Sequence, residues 1–152
     1  MGRFTLKNRI ITSPMYVGYG NKDGTVSDKM ISHYERRAKG GVSMVVTEYV
    51  CVHESGREAE NQIQIWKDEA MPGLKMLADA IKRHGALASI QIVHGGRHAR
   101  LKERVAPSPV PFEPVPGEVV TPREMTKGEI EEVISSFGKA AKKALSLGFD
   151  GI

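Results

Sequence analysis

The sequence has few cysteines and aromatic residues, no long apolar run and no cluster of like charge. Its only cysteine, Cys51, excludes an internal disulfide framework and a cysteine-rich metal site. No apolar stretch approaches the roughly 18 residues of a membrane-spanning helix, and the N-terminal residues lack the apolar core of a signal peptide. The 22 basic and 18 acidic residues give a net charge of +4, and the basic residues are scattered. We therefore expect no nucleic-acid partner, no membrane partner and a cytoplasmic location.

The sequence does contain a regular alternation of apolar strand patterns and amphipathic helix patterns. The strand patterns cover residues 9–15, 42–52 and 86–93, and the helix patterns lie between Ser27 and Gly40, from about Glu69 to His84, and between Thr126 and Gly148. The last five residues, 148–152, are typical of a turn and the start of a fourth strand. This order predicts a parallel sheet with helical crossovers, as in an open doubly wound sheet or a (β/α)8 barrel.

The length of the chain bears on the barrel interpretation. A complete (β/α)8 barrel needs roughly 250 residues, so this chain has room for the first three βα units and the start of strand 4. Because domains rarely end by starting a buried strand, we expect the domain to continue beyond residue 152. Residues 1–152 are then the N-terminal part of a single barrel domain.

The third helix has the clearest sequence signature. Thr126 and Glu129 have the spacing of a capping box, in which each side chain accepts a hydrogen bond from the other residue's backbone. The apolar residues that follow at helical spacing predict its buried face. They are Ile130, Val133, Ile134, Phe137, Ala141, Ala144 and Leu145.

A long segment, residues 94–122, separates the third strand from this helix and carries six of the eight prolines. Loops above roughly 12–15 residues are uncommon unless they are functional or disordered. Proline favours an extended form, and a loop that follows a parallel strand lies at the carboxyl edge of the sheet, where ligands bind. We expect a lid or a substrate-binding wall; a surface excursion without function is the alternative.

Two glycine-containing motifs allow more than one interpretation. Gly18-x-Gly20-x-x-x-Gly24 imitates a dinucleotide fingerprint, but its third glycine is one residue late, which favours an ordinary turn. His94-Gly-Gly-Arg-His98 contains two metal-ligand side chains, but its glycines do not favour a rigid pair and no neighbour supplies a third ligand. We therefore predict no metal site. Instead, the glycines let backbone amides approach a ligand, and Arg97 offers a charged donor.

Two polar residues interrupt apolar strand patterns. Gln91 lies within Ala-Ser-Ile-Gln-Ile-Val, and a buried amide needs a hydrogen-bond partner. That partner is either a neighbouring strand, through Ser89 or Thr47, or a ligand with amide-like edges such as a flavin pyrimidine ring. Glu48 follows a buried run in the same way, and it is either catalytic or paired with an arginine of the scaffold.

Several motifs occur in the order found in one family. They are Phe4-Thr-Leu-Lys-Asn-Arg-Ile-Ile-Thr-Ser-Pro-Met15, Thr47-Glu-Tyr-Val, Gly56-Arg57, Ser89-Ile-Gln-Ile-Val-His-Gly-Gly-Arg97, Ala106-Pro-Ser108, Met125-Thr126 and Gly148-Phe-Asp-Gly-Ile152. Together they resemble the Old Yellow Enzyme-like NADH:flavin oxidoreductases, and among these the bacterial enoate and 2,4-dienoyl-CoA reductase branch.

The resemblance implies an FMN-dependent (β/α)8 barrel that passes hydride from NADH or NADPH, through the flavin, to an activated C=C bond of a small unsaturated carbonyl or enoyl substrate. It assigns FMN contacts by motif match to six residues: Ser13, Pro14, Met15, Tyr16, Tyr49 and Gln91. It places His94 and Arg97 in the substrate loop. Tyr16 stands where some relatives carry a cysteine that tunes the flavin potential, and Tyr49 stands where the family often has Ala or Gly.

The resemblance also indicates what these 152 residues do not contain. The family's catalytic histidine pair and tyrosine follow the equivalent of Asp150-Gly-Ile152, so we expect no catalytic residue within this chain and an inactive fragment. It leaves open an iron–sulfur cluster in a C-terminal region, and it implies a homo-oligomer for the complete protein. Two alternatives remain: a metal-assisted barrel hydrolase that uses His94, His98 and Glu48, and a non-catalytic half-barrel that binds a partner.

Overall fold

A parallel three-stranded sheet with helical crossovers forms the centre of the computed structural model, which describes residues 4–152. Strands β1 (Ile11–Thr12), β2 (Met44–Cys51) and β3 (Leu87–Val93) lie in that order and pair in parallel. Helices α1 (Asp28–Lys39), α2 (Met71–Lys82) and α3 (Lys127–Ser146) follow them in turn. Gly151 pairs with Ser89 beside β3, where a fourth strand begins. The predicted βα alternation is therefore confirmed.

The hydrophobic core lies between the sheet and the helices. Alternate residues of β3, Ala88 and Ile90, are fully buried in this core, and Ile92 packs against it. On α2, Leu74, Leu77 and Ile81 are completely buried against the same layer. Because side chains alternate along a strand, Ser89, Gln91 and Val93 face the opposite side of the sheet, which in a closed barrel is the interior.

Local signals set the starts of α1 and α3 as predicted. The Ser27 side chain accepts a hydrogen bond from the Met30 backbone N–H at 3.1 Å and caps α1. At α3 both bonds of the predicted capping box are present, between Thr126 and Glu129. Helix α2 starts two residues later than predicted, because residues Asp68–Ala70 form a short 3-10 turn ahead of it.

The first strand is shorter than predicted. Only Ile11 and Thr12 of the predicted 9–15 pair with β2, opposite Met44 and Val45. Pro14 has no backbone N–H to donate to a ladder, so residues 13–17 leave the sheet as a loop. The strand prediction was therefore wrong for Ser13, Pro14 and Met15, three of the six residues on which the family resemblance places flavin contacts.

The buried face predicted for α3 is wrong at two positions. Ile134 and Leu145 are 65% and 54% exposed, whereas Ala140 and Ala144 are buried. The helix approaches β3 through these alanines, with Phe137 packed against the core, so only a narrow stripe of the helix is covered. None of the helices within residues 4–152, α3 included, is long and apolar enough to cross a membrane.

The segment from 94 to 122 is more regular than the extended loop predicted for it. Strand β4 (Val105–Ala106) pairs in parallel with β7 (Arg123–Glu124). This pairing brings the two ends of the segment together. Strands β5 (Phe112–Val115) and β6 (Glu118–Val120) form a hairpin whose turn contains Gly117 at φ +85°. The proline within β5 is tolerated because a residue of an edge strand does not need a backbone N–H group to donate to a neighbouring strand.

Candidate functional site

The loops that follow β1, β2 and β3 meet at the carboxyl edge of the sheet, and they carry the predicted site residues. The β1 loop is open to solvent: Ser13 and Pro14 are exposed, and Met15 and Tyr16 are 69% and 40% exposed. Tyr49 lies near the end of β2 and Gln91 near the end of β3. Since carboxyl ends of parallel strands share one edge, the predicted cofactor residues lie on one side of the molecule.

Two of these residues are in direct contact. The rings of Tyr16 and Tyr49 stack, with centroids 5.2 Å apart and an angle of 28° between planes. Burial is the main reason that the pKa of Tyr49 is raised to about 12, and the nearby Glu58 carboxylate adds to the shift. Burial is also the main reason that the pKa of Tyr16 is raised, and the charge of Glu48 adds to that shift. Both phenols therefore stay protonated at neutral pH and form an aromatic wall between the first two loops.

Gln91 differs from the sequence prediction. It was expected to be buried, but its side chain is exposed on the inner face of β3, and no hydrogen bond reaches it from residues 4–152. The reason is the alternation along the strand: Ile90 and Ile92 take the core side, which leaves Gln91 on the other. The predicted partners Ser89 and Thr47 do not satisfy it, so its amide is available to a ligand.

Glu48 is buried completely, and no arginine within residues 4–152 forms the ion pair that was one of the two roles considered for it. Its Oε2 accepts hydrogen bonds from the backbone N–H of Val17, at 2.6 Å, and of Gly18, at 3.2 Å. Its Oε1 is buried without a hydrogen-bond partner among the described residues. Burial raises the pKa of this carboxyl group, and the two backbone hydrogen bonds oppose that shift. Glu48 therefore anchors the β1 loop.

A chain of hydrogen bonds that sequence reasoning missed joins the second and third loops. The Gly96 N–H donates to His94 Nδ1 at 3.1 Å, which leaves the proton of a neutral His94 on Nε2. That nitrogen lies 2.9 Å from Ser55 Oγ, and Ser55 Oγ lies 2.8 Å from His53 Nδ1. His53 Nε2 in turn lies 3.5 Å from a carboxylate oxygen of Glu132 on α3. Both ring nitrogens of His94 are thus engaged within the protein.

The other residues of the His94–His98 motif gather around one aromatic side chain. The Arg97 guanidinium lies 5.2 Å from the centre of the Phe112 ring, and the His98 ring meets the same ring edge-on at 5.1 Å. Both residues are exposed. In residues 4–152 no group of three histidine, cysteine or acidic side chains is placed to hold a metal ion, so the structure does not bring His94, His98 and Glu48 together as a metal centre.

The glycine-rich turn after β1 serves the packing of loops. A Cβ atom at Gly20 would lie 2.3 Å from the Asn61 carbonyl oxygen, and one at Gly24 would lie 2.5 Å from the Gln64 side chain. Gly24 also accepts a backbone hydrogen bond from Gln64 at 3.0 Å. These close approaches account for the glycines at 20 and 24 and favour the turn interpretation over a dinucleotide fingerprint.

Comparison with protein families gives a match over residues 1–152 to the family described as NADH:flavin oxidoreductase / NADH oxidase. The chain is 45% identical over 150 residues to an NADPH dehydrogenase of Listeria monocytogenes serotype 4a (strain HCC23), covering 97% of this chain and 44% of that protein. It is 40% identical over 148 residues to an NADPH dehydrogenase of Geobacillus sp. (strain WCH70), covering 96% of this chain and 43% of that protein. The chain thus spans less than half the length of these curated relatives.

Solved structures show the same architecture. An Old Yellow Enzyme from Pichia sp. AKU4542 superposes with a TM-score of 0.91 at 26% identity, over 98% of this chain and 42% of that one. A 2-naphthoyl-CoA reductase in complex with 2-naphthoyl-CoA superposes with a TM-score of 0.89 at 31% identity, over 96% of this chain and 24% of that one. The three βα units correspond to part of the barrel of these enzymes, which confirms the predicted fold class.

Proposed function

Because the chain belongs to the NADH:flavin oxidoreductase / NADH oxidase family, as its motifs predicted, we propose that the carboxyl edge of its sheet binds FMN. We propose further that the complete enzyme uses NADPH or NADH to reduce an activated C=C bond. The observation that carries the proposal is Gln91, a polar side chain near the end of a strand that is exposed on the inner face and has no hydrogen-bond partner within residues 4–152.

The exposed groups at this edge fit the cofactor. A glutamine amide has a donor and an acceptor side by side, which matches the alternating N–H and C=O groups of a flavin pyrimidine edge. Ser13, Pro14 and Met15 present an open backbone segment, which supplies further donors and acceptors. The stacked rings of Tyr16 and Tyr49 supply an apolar surface beside it, at which a planar ligand can pack.

The residues of this chain bind and orient; we assign none of them a proton transfer. FMN, if bound here, would supply hydride chemistry: its reduced form would give a hydride to the β-carbon of the substrate, a proton from solvent or from a residue outside this chain would reach the α-carbon, and NADPH or NADH would reduce the flavin again. Tyr16 and Tyr49 exclude water from one side of the site, and their raised pKa values keep both phenols neutral. Arg97 is exposed in the substrate loop and can contact a polar or anionic part of the substrate, whereas His94 holds that loop in place.

Similarity to a 2-naphthoyl-CoA reductase supports an unsaturated carbonyl compound or enoyl thioester as the substrate class. Cys51 contributes to no cluster in this proposal: it is buried, its thiol donates to the His53 carbonyl oxygen at 3.0 Å, and burial raises its pKa to about 11. Any iron–sulfur cluster of the complete enzyme would take its ligands from residues outside this chain.

The test is anaerobic turnover by the full-length protein that contains these residues. We expect the purified protein to carry FMN and to oxidise NADPH or NADH only when an enone such as cyclohexenone is present. A flavin-free protein that leaves the nicotinamide cofactor and the enone unchanged would contradict the proposal. A chelator-sensitive hydrolysis would instead favour the metal-dependent alternative.

A further inference from the structure

We propose that Glu48 is a positioning residue whose buried carboxyl group fixes the backbone of residues 16–18 and so sets the shape of the β1 loop. The inference rests on the proposed function, because that loop is where we place part of the FMN site. Glu48 itself does not contact the ligand in this proposal. It acts through Val17 and Gly18, which directly follow Tyr16.

The contacts of the carboxyl group point to one task. Oε2 receives both backbone N–H groups, from Val17 at 2.6 Å and from Gly18 at 3.2 Å. No basic side chain within residues 4–152 forms an ion pair with Glu48. Burying a carboxyl group is unfavourable unless it is hydrogen-bonded, so an apolar side chain would serve better if packing were its only role. Compared with an apolar side chain, the carboxyl group adds the two hydrogen bonds from the backbone N–H groups of Val17 and Gly18.

An irregularity in β2 aims Glu48 at this loop. The pairing register with β3 shifts between Thr47 and Val50, so residues 48 and 49 depart from the ladder. The Glu48 N–H donates to the Tyr34 hydroxyl of α1 at 2.7 Å instead of to a neighbouring strand. Bulges of this kind re-aim side chains next to functional sites.

Two consecutive residues of β2 therefore hold consecutive residues of the β1 loop. The Glu48 carboxyl group binds the backbone at 17 and 18, while the Tyr49 ring stacks on Tyr16. The loop needs such support because β1 pairs over only two residues and Pro14 can donate no backbone hydrogen bond. Without Glu48, the amides of Val17 and Gly18 lose their acceptor, and the position of the loop then depends on the remaining contacts, such as the Tyr16–Tyr49 stacking and the hydrogen bond from the Asn61 side chain to the Gly18 carbonyl oxygen at 3.2 Å.

The test compares variants of the full-length protein by FMN fluorescence titration and by amide hydrogen exchange. Glu48→Leu removes both acceptor oxygens; we expect FMN to bind about tenfold or more weakly, the effect of lost hydrogen bonds to a buried carboxyl group. We also expect the amides of Val17 and Gly18 to exchange faster. Glu48→Gln keeps one acceptor oxygen and should restore slow exchange and most of the affinity. Thr47→Val removes a buried hydroxyl that donates to the Glu48 carbonyl oxygen at 3.4 Å but leaves the Glu48 carboxyl group and its contacts in place, so it is the matched control and should leave both readouts unchanged.

Several results would overturn the inference. Unchanged FMN affinity in Glu48→Leu is one, and fast exchange at Val17 and Gly18 in the unaltered protein is another. If Glu48→Leu does not fold, Glu48→Asp replaces it, since the shorter side chain withdraws the acceptor; wild-type affinity in that variant would again contradict the role. A protein that binds no FMN in any form contradicts the proposed function instead, while amide exchange in the unliganded protein still decides the role of Glu48.

Discussion

Gln91 carries most of the proposed specificity for the flavin ring, because it offers an amide at the inner face of β3 that no described residue satisfies. Its sequence context identified it as unusual but gave the wrong reason. The apolar neighbours indicated a strand correctly, whereas the side of the strand on which position 91 falls depends on which residues pack against helices. That is a tertiary property, which a short window of sequence does not contain.

Replacing Gln91 by Leu should weaken FMN binding without weakening the fold. The loss expected for one ligand hydrogen bond is about 1–3 kcal/mol of binding free energy. The free energy of unfolding should change little, because no residue within 4–152 forms a hydrogen bond with this side chain. Fluorescence titration with FMN and urea unfolding measure the two quantities. Unaltered FMN affinity would remove Gln91 from the site.

The connections between elements show what the sequence can and cannot predict. Helix starts at Ser27 and Thr126 were predicted correctly because a cap involves residues only three positions apart. The hydrogen bonds that link His53, Ser55 and His94 were missed, since they join loops whose residues are 39 positions apart in sequence. Their only sequence signal was the presence of polar side chains directly after two buried strands.

The burial of His94 within this hydrogen-bonded network predicts a pH-dependent stability. Burial, and then the charge of His53, lowers the pKa of His94 from its ordinary 6.5, so the folded state favours the neutral ring. The contribution of the neutral His94 ring to the free energy of unfolding is complete above pH 6.5. It is lost as the pH falls below 6.5, because the unfolded chain then binds a proton that the folded chain does not.

We expect the free energy of unfolding to fall between pH 7 and 5, by no more than about 1.4 kcal/mol per pH unit for this one group. His94→Gln should show a smaller fall, and His33, whose pKa burial also lowers, should account for part of what remains. Urea unfolding at several pH values gives both slopes. Identical slopes in the variant and the unaltered protein would show that His94 is not responsible.

The β5–β6 hairpin should matter more for substrate binding than for folding. Its apolar residues Val115 and Val119 are 54% and 65% exposed, and its removal exposes little of the core. Replacing residues 112–120 of the full-length enzyme by a short glycine-containing turn should change KM or substrate range more than Tm. A large fall in Tm with unchanged kinetics would show that the hairpin is part of the scaffold.

At the scale of the whole molecule, the alternation of strands and helices predicted the βα architecture but could not separate an open sheet from a barrel. Both architectures use the same periodicity, and only the motif resemblance favoured the barrel. The sheet of residues 4–152 has one outer edge at β1, where Ile11 is 41% exposed, and on the other side β3 is paired only at Gly151. Exposed edges and apolar surface favour association with other chains.

Expressed alone, residues 1–152 should therefore self-associate, retain little FMN and show no enone reduction. The outer flank of α3 adds to the apolar surface through Ile134 and Leu145. Size-exclusion chromatography, flavin absorbance and NADPH oxidation check the three parts. A monomeric, yellow chain that reduces cyclohexenone would contradict this expectation and would place catalysis within these residues.

The position of the flavin can be measured directly in a crystal structure of the full-length protein grown with FMN. We expect the ring system at the carboxyl edge of the sheet, next to residues 13–16, with its pyrimidine edge within hydrogen-bond distance of the Gln91 amide. We also expect Val17 and Gly18 still to donate to Glu48. FMN bound elsewhere, or Gln91 turned to a protein partner, would contradict the proposed site.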